Sequence, residues 1–243
     1  MLFSIVTIFP EMFQAITNYG ITKRTLDNKI AKLQLYNPRD YSTNKHFTVD
    51  DRPYGGGPGM VMKVEPMLAA INAAKQDLQN INPNSKPLVI CLSPQGTKIT
   101  QKHLRQCIKK QDSIIFVCGR YEGIDERIHQ LAIDEEWSIG DFILTGGELA
   151  AMAFVDALIR LIPGALGDPG SFEQDSFGED LLLDHPHYTR PQCIYGLNVP
   201  EVLLSGNHGD ILNWRQQQRL IRTTNKRKDL LNLLNEEQHH HVT

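Results

Sequence analysis

Cys118-Gly-Arg-Tyr-Glu-Gly-Ile-Asp-Glu-Arg127 follows directly on the apolar run Ser113–Cys118, and this junction decides how the chain reads. Ser-Ile-Ile-Phe-Val-Cys is a short apolar run that reads as a strand. A glycine immediately beyond such a strand lets backbone amides and carbonyls come close to a bound molecule. The arrangement recurs nearby. Leu92-Ser-Pro-Gln-Gly-Thr97 follows the apolar run Leu88–Leu92, and Trp137-Ser-Ile-Gly-Asp-Phe-Ile-Leu-Thr-Gly-Gly-Glu148 leads into an apolar helix candidate. Any one of these loops reads equally well as a tight turn. Together they point to a pocket at the carboxyl ends of strands, where α/β sheets hold their ligands.

Outward from this junction, short apolar runs alternate with helical patterns. Candidate strands are Leu2–Phe9, Lys32–Tyr36, Leu88–Leu92 and Ser113–Cys118. The helical patterns are Glu11–Tyr19, entered at Pro10 and ended by Gly20, then Val64–Gln76 and Thr100–Lys110. This alternation predicts an α/β domain with a mainly parallel sheet. Gly147–Ile162 is charged only at Glu148, Asp156 and Arg160, which suits a core or a subunit interface. From Asp168 to Asp184 there are six acids and no Lys or Arg, with Pro169 and several glycines, the composition of a flexible linker. Pro200–Glu237 reads as two or three helices. The expected division is therefore a domain at 1–164, an acidic linker at 165–184 and a small helical domain at 185–243.

The 41% apolar and 22% charged content of the 243 residues excludes general disorder. Cys91, Cys107, Cys118 and Cys193 form no CxxC pair, which fits reduced thiols in a cytosol. The apolar N-terminus lacks a basic flank and is cut by Pro10, so it reads as a first strand and not as a signal peptide. No GxxxxGK[ST], no GxGxxG at a strand–helix junction and no GxSxG occurs, which argues against a P-loop NTPase, a dinucleotide fold and a nucleophile elbow. His185 and His187 flank a proline with no further ligand at zinc spacing; they read as loop packing, and no metal site is assigned.

Two segments suggest nucleic acid. The long loop Arg39–Met62 holds Asp50-Asp-Arg-Pro-Tyr-Gly-Gly-Gly-Pro-Gly59, whose Arg52, Tyr54 and glycines suit a flat polar ligand or an RNA backbone. Arg215, Arg219 and Arg222 share one helical face and precede Lys226, Arg227 and Lys228, with no acid between Ile211 and Lys228. In a chain of net charge −3, that is a local footprint for phosphates.

The segments VDDRPYGGGPGM (Val49–Met60), LSPQG (Leu92–Gly96), CGRYEGIDER, DEEWSIGD (Asp134–Asp141), GGEL (Gly146–Leu149), DSF (Asp175–Phe177), PHYTRP (Pro186–Pro191) and LLSGNH (Leu203–His208) occur in this order. So ordered, the chain resembles the bacterial tRNA (guanine-37-N1)-methyltransferases of the SPOUT class, from Pro10-Glu-Met-Phe13 to the basic helix. The resemblance implies a trefoil-knotted, mainly parallel α/β domain, a small all-helical C-terminal domain and a cytoplasmic homodimer whose active sites are composite. It implies S-adenosylmethionine as methyl donor, held by Leu92, Ser93 and Pro94, by Gly119, Tyr121 and Glu122, by Ser138, Ile139 and Gly140, and by Leu144, Gly146 and Gly147. It implies Asp175 as general base, Arg160 as stabiliser of the guanine O6, and assistance by Mg²⁺. The substrate would be tRNA with guanosine at positions 36 and 37, met by Asp50, Arg52, Tyr54, Gly59, His208, Arg215, Arg219 and Arg222. Ala150-Ala151 departs from the family's Pro-Ala after GGEL, and Asp175–Asp184 is one residue longer than the pattern. The second departure leaves open whether Asp184 contacts the donor's amino group. Methylation of another base or of a ribose hydroxyl, or RNA binding without catalysis, are the alternative readings.

Overall fold

The structure, a computed structural model, describes residues 1–167 and 175–232. The chain divides into two compact units at Gly167/Asp168. In the first, β1 (Leu2–Val6) leads through a 3-10 turn at Pro10–Phe13 into the short α1 (Gln14–Thr17) and α2 (Gly20–Asp27). There follow β2 (Lys32–Tyr36), the antiparallel pair β3 (Asp50–Asp51) and β4 (Val61–Met62), α3 (Val64–Ile81), β5 (Leu88–Lys98), α4 (Gln101–Lys110) and β6 (Ser113–Cys118). The unit ends with α5 (Glu126–Ala132), β7 (Glu135–Ser138) and α6 (Glu148–Ile159).

The five long strands form one sheet in the order β2-β1-β6-β5-β7, every pairing parallel. Strand β6 lies at its centre and all its residues are buried. Its side chains alternate between two cores, as strand geometry requires. Ile114, Phe116 and Cys118 face a core completed by Leu104 of α4 and Val155 and Leu158 of α6. Ile115 and Val117 face the opposite core, closed by Met67, Ile71 and Leu78 of α3 and Ile128 of α5. Phe116, Trp137 and Phe154 meet as a ring cluster with centroids 5.3–6.3 Å apart. A sheet covered on both faces explains why its central strands read as continuous apolar runs.

Local signals set the helix starts. Asp125 accepts from the Arg127 amide at 3.0 Å and caps α5, and His103 Nδ1 accepts from the Thr100 amide at 3.1 Å at the start of α4. Some boundaries depart from expectation. Gly20 does interrupt the first helical pattern, with φ +66°, but a second helix begins there. β5 runs on to Lys98 where the sequence predicts an end at Leu92, and β7 hides behind the acids Glu135 and Glu136.

The second unit holds the hairpin β8 (Cys193–Ile194) and β9 (Leu197–Asn198), a 3-10 turn at Glu201–Leu204, and α7 (His208–Lys226). The chain is helical again over 228–232. The hairpin is a strand element that the expected all-helical C-terminal domain lacks. Residues 175–184, read as linker, pack on α7: the Leu183 amide donates to Thr223 Oγ1 at 2.9 Å and Leu182 is buried. The rest of that expected linker, 168–174, and the chain beyond 232 lie outside the described residues.

Candidate active site

The carboxyl ends of β5, β6 and β7 open onto one cavity of about 530 Å³. At the end of β5 the pairing with β7 slips, so that Leu92 and Thr97 both oppose Trp137 and Ser93–Gly96 bulge outward. The Ser93 hydroxyl accepts from the Gln95 amide at 3.1 Å, which closes the bulge. Gly96 is needed there because a Cβ would lie 2.5 Å from the Glu136 backbone.

The loop after β6 is held between two others. The Gly147 amide donates to the Gly119 carbonyl at 3.0 Å, drawing the start of α6 against the end of β6. On its other side, the Glu122 amide donates to Met60 O and the Met62 amide to Gly123 O, so the 49–62 loop is docked on it. Tyr121 takes a left-handed backbone conformation, φ +61°, at a cost of order 1–3 kcal/mol that the surrounding bonds offset.

Beneath these loops lies a buried ionic network. Glu148 is wholly buried; its Oε1 accepts from Thr7 Oγ1 at 2.9 Å and its Oε2 from Arg120 Nε at 2.8 Å. Arg120 also donates to the Thr145 carbonyl and hydroxyl at 3.2 Å each and stacks over the Phe9 ring. A side chain on Gly146 would collide with Arg120 and Glu148. One ion pair thus joins β1, the Gly119–Gly123 loop and the Leu144–Gly147 loop.

Every residue that the resemblance assigns to the donor lines this cavity: Leu92, Ser93, Pro94, Gly119, Tyr121, Glu122, Ser138, Ile139, Gly140, Leu144, Gly146 and Gly147. Sequence reasoning missed other parts of the wall, among them Glu126, His129, Glu136 and Phe142. His129 Nδ1 lies 3.0 Å from Glu136 Oε1, and no helical or strand periodicity announces such a pair.

A match to the family model described as "tRNA (Guanine-1)-methyltransferase TrmD" spans residues 1–233. The chain belongs to this family. It is 57% identical over 227 residues to a protein of Shewanella sediminis named tRNA (guanine-N(1)-)-methyltransferase, covering 93% of this chain and 91% of that one. A protein of the same name from Buchnera aphidicola is 54% identical over 229 residues, 94% of each chain. One from Aeromonas hydrophila is 54% identical over 230 residues, 95% of this chain and 90% of the relative. The mainly parallel α/β sheet of this family member is of the SPOUT class.

Of the remaining residues named from sequence, Asp50, Arg52, Tyr54, Gly59 and Arg160 belong to the first unit without lining the cavity, and the others belong to the second unit. Arg160 is the C-cap of α6 in the first unit, and Asp175 belongs to the second. Asp50 pairs with Met62, Arg52 and Tyr54 are exposed beyond it, and Gly59 packs on Glu122. His208 opens α7, whose amide ends Gly209 and Asp210 are capped by Asn207. Arg219 is committed elsewhere: its guanidinium grips Asp180 through two bonds of 2.6 and 2.8 Å. The acid that balances it comes from the acidic segment, which is why counting charges along the helix overlooks it. No helix among the described residues is long and apolar enough to cross a membrane.

Proposed function

We propose that this chain transfers a methyl group from S-adenosylmethionine to N1 of guanosine 37 in tRNA. The observation that carries this reading is the convergence of the donor loops on one cavity whose size is that of a small-molecule site. Its lining suits the donor: Glu122, Glu126 and Glu136 offer carboxylates toward a ligand bearing a sulfonium and an ammonium. A Cβ on Gly140 would meet the Phe142 ring and one on Gly146 would meet Arg120 and Glu148, so glycine leaves those neighbours in place. When bound, the donor supplies an electrophilic methyl group on a sulfonium.

The chain's own residues do the rest. Guanine N1 carries a proton and is a poor nucleophile until that proton is removed. Asp175 takes it. Negative charge then grows on the guanine O6, and the guanidinium of Arg160 stabilises it. The geometry of a fixed arginine matters more here than base strength, because a carboxylate is a weak base.

The glycine loop with Asp50, Arg52, Tyr54 and Gly59 meets the tRNA close to the cavity, since Gly59 packs on Glu122. In the second unit we assign phosphate contacts to His208, Arg215 and Arg222. Arg219, held by Asp180, positions the helix that carries them. The trefoil knot, a homodimer with composite sites and assistance by Mg²⁺ complete the reading on the family's pattern. Asp175→Ala is the test: single-turnover transfer is lost while equilibrium binding of S-adenosylmethionine is retained. Intact transfer with weakened donor binding contradicts the assignment.

A further inference from the structure

Asp184, His185 and His187 gather a carboxylate and two imidazoles at one point of the second unit, each with a ligating atom within 4.8 Å of the others. His187 Nε2 lies 2.8 Å from Asp184 Oδ2, and His185 Nε2 lies 3.8 Å from Asp184 Oδ1. A tetrahedral zinc ion with bonds of about 2.0–2.2 Å spaces its ligands roughly 3.3 Å apart. The two separations bracket that value. Small side-chain rotations suffice to accommodate an ion.

The hydrogen bonding around the cluster prepares it. His185 Nδ1 faces the Pro186 carbonyl at 3.1 Å. A carbonyl can only accept, so Nδ1 carries the hydrogen, and in the neutral ring Nε2 then keeps its lone pair, the tautomer of a metal-ligating histidine. In that tautomer the lone pair looks toward a carboxylate, acceptor against acceptor, from a ring that is almost wholly buried. A cation relieves the opposition. Asp184 is itself pinned: its Oδ1 accepts from the His185 amide at 2.6 Å, and its own amide donates to Ser176 Oγ at 2.9 Å. The His187 side chain is 69% exposed, which leaves a path for entry.

We propose that Asp184, His185 and His187 form a site for a first-row transition-metal dication such as Zn²⁺, with a fourth position open to solvent. Two imidazoles set it apart from a Mg²⁺ site, since Mg²⁺ takes oxygen ligands. The sequence offers only a histidine pair; the third ligand is the aspartate next to it, which the turn folds back onto the rings. Because Asp184 also holds Ser176, an ion here fixes the backbone beside Asp175.

The test uses the full-length, metal-free protein with His239, His240 and His241 replaced by alanine, so that the histidine-rich terminus does not chelate metal by itself. Calorimetric titration with Zn²⁺ in excess Mg²⁺ is expected to show one ion per chain. His187→Ala, at an exposed position that leaves the fold intact, is expected to weaken binding at least tenfold, and His185→Ala likewise where circular dichroism shows it folded. Hydrogen exchange over 176–187 is expected to slow when Zn²⁺ is added to the parent and not to His187→Ala. No binding, displacement of Zn²⁺ by Mg²⁺, or unchanged affinity in His187→Ala overturns the proposal.

Discussion

Arg120 donates through Nε to Glu148 Oε2 at 2.8 Å, in a place where the Glu148 side chain has no exposed surface and that of Arg120 only 16%. Removing one partner of such a pair leaves a buried charge unbalanced, at about 3–5 kcal/mol. Arg120→Ala is therefore expected to lower the thermal midpoint by roughly 6–20 °C for a chain of this size. It should also weaken donor binding, because the same guanidinium holds Thr145. Scanning calorimetry and equilibrium donor binding check both parts. An unchanged midpoint would show that the pair contributes nothing net.

Gly59 has φ +83°, and a Cβ there would stand 2.3 Å from Glu122 Oε1. Gly55 shares that φ and would meet nothing within 4 Å. Gly55→Ala thus measures backbone strain alone, of order 1 kcal/mol or more. Gly59→Ala adds a collision with a cavity residue. The expected outcome is faster hydrogen exchange over 119–123 and weaker donor binding in Gly59→Ala only. Equal behaviour of the two variants would mean that the contact does not shape the cavity.

Burial pushes the Cys91 thiol up to about 12 and the Cys107 thiol up to about 11, and desolvation drives Cys118 well above its ordinary range. Only the thiolate attacks an alkylating reagent. Near pH 8 these three remain protonated as well as shielded, whereas Cys193 is exposed. Brief treatment of the native protein with iodoacetamide is expected to add one label per chain, at Cys193. Comparable labelling of Cys91 or Cys118 would contradict the packing around β5 and β6.

The parallel sheet was legible because its central strands are buried on both faces, which writes Ser113–Cys118 as an unbroken apolar run. β7 was not, since an edge strand needs only one covered side and Glu135 can stay exposed. The loops that line the cavity were legible as glycines at strand ends. Contacts distant in sequence left no such mark. Arg120 with Glu148 closes across 28 residues and Arg219 with Asp180 across 39. The second of these turned what read as an uncompensated basic helix face into a partly balanced one. In the same way, Asp184 stands beside the histidine pair read as loop packing and completes the cluster proposed above as a metal site.

The most direct measurement incubates the protein with labelled S-adenosylmethionine and tRNA bearing guanosine at positions 36 and 37, then identifies the labelled nucleoside after digestion. The expected product is 1-methylguanosine at position 37, with a large loss of product when the guanosine at position 36 is replaced. Label on another base, on a ribose hydroxyl, or on no nucleoside at all would contradict the proposed function.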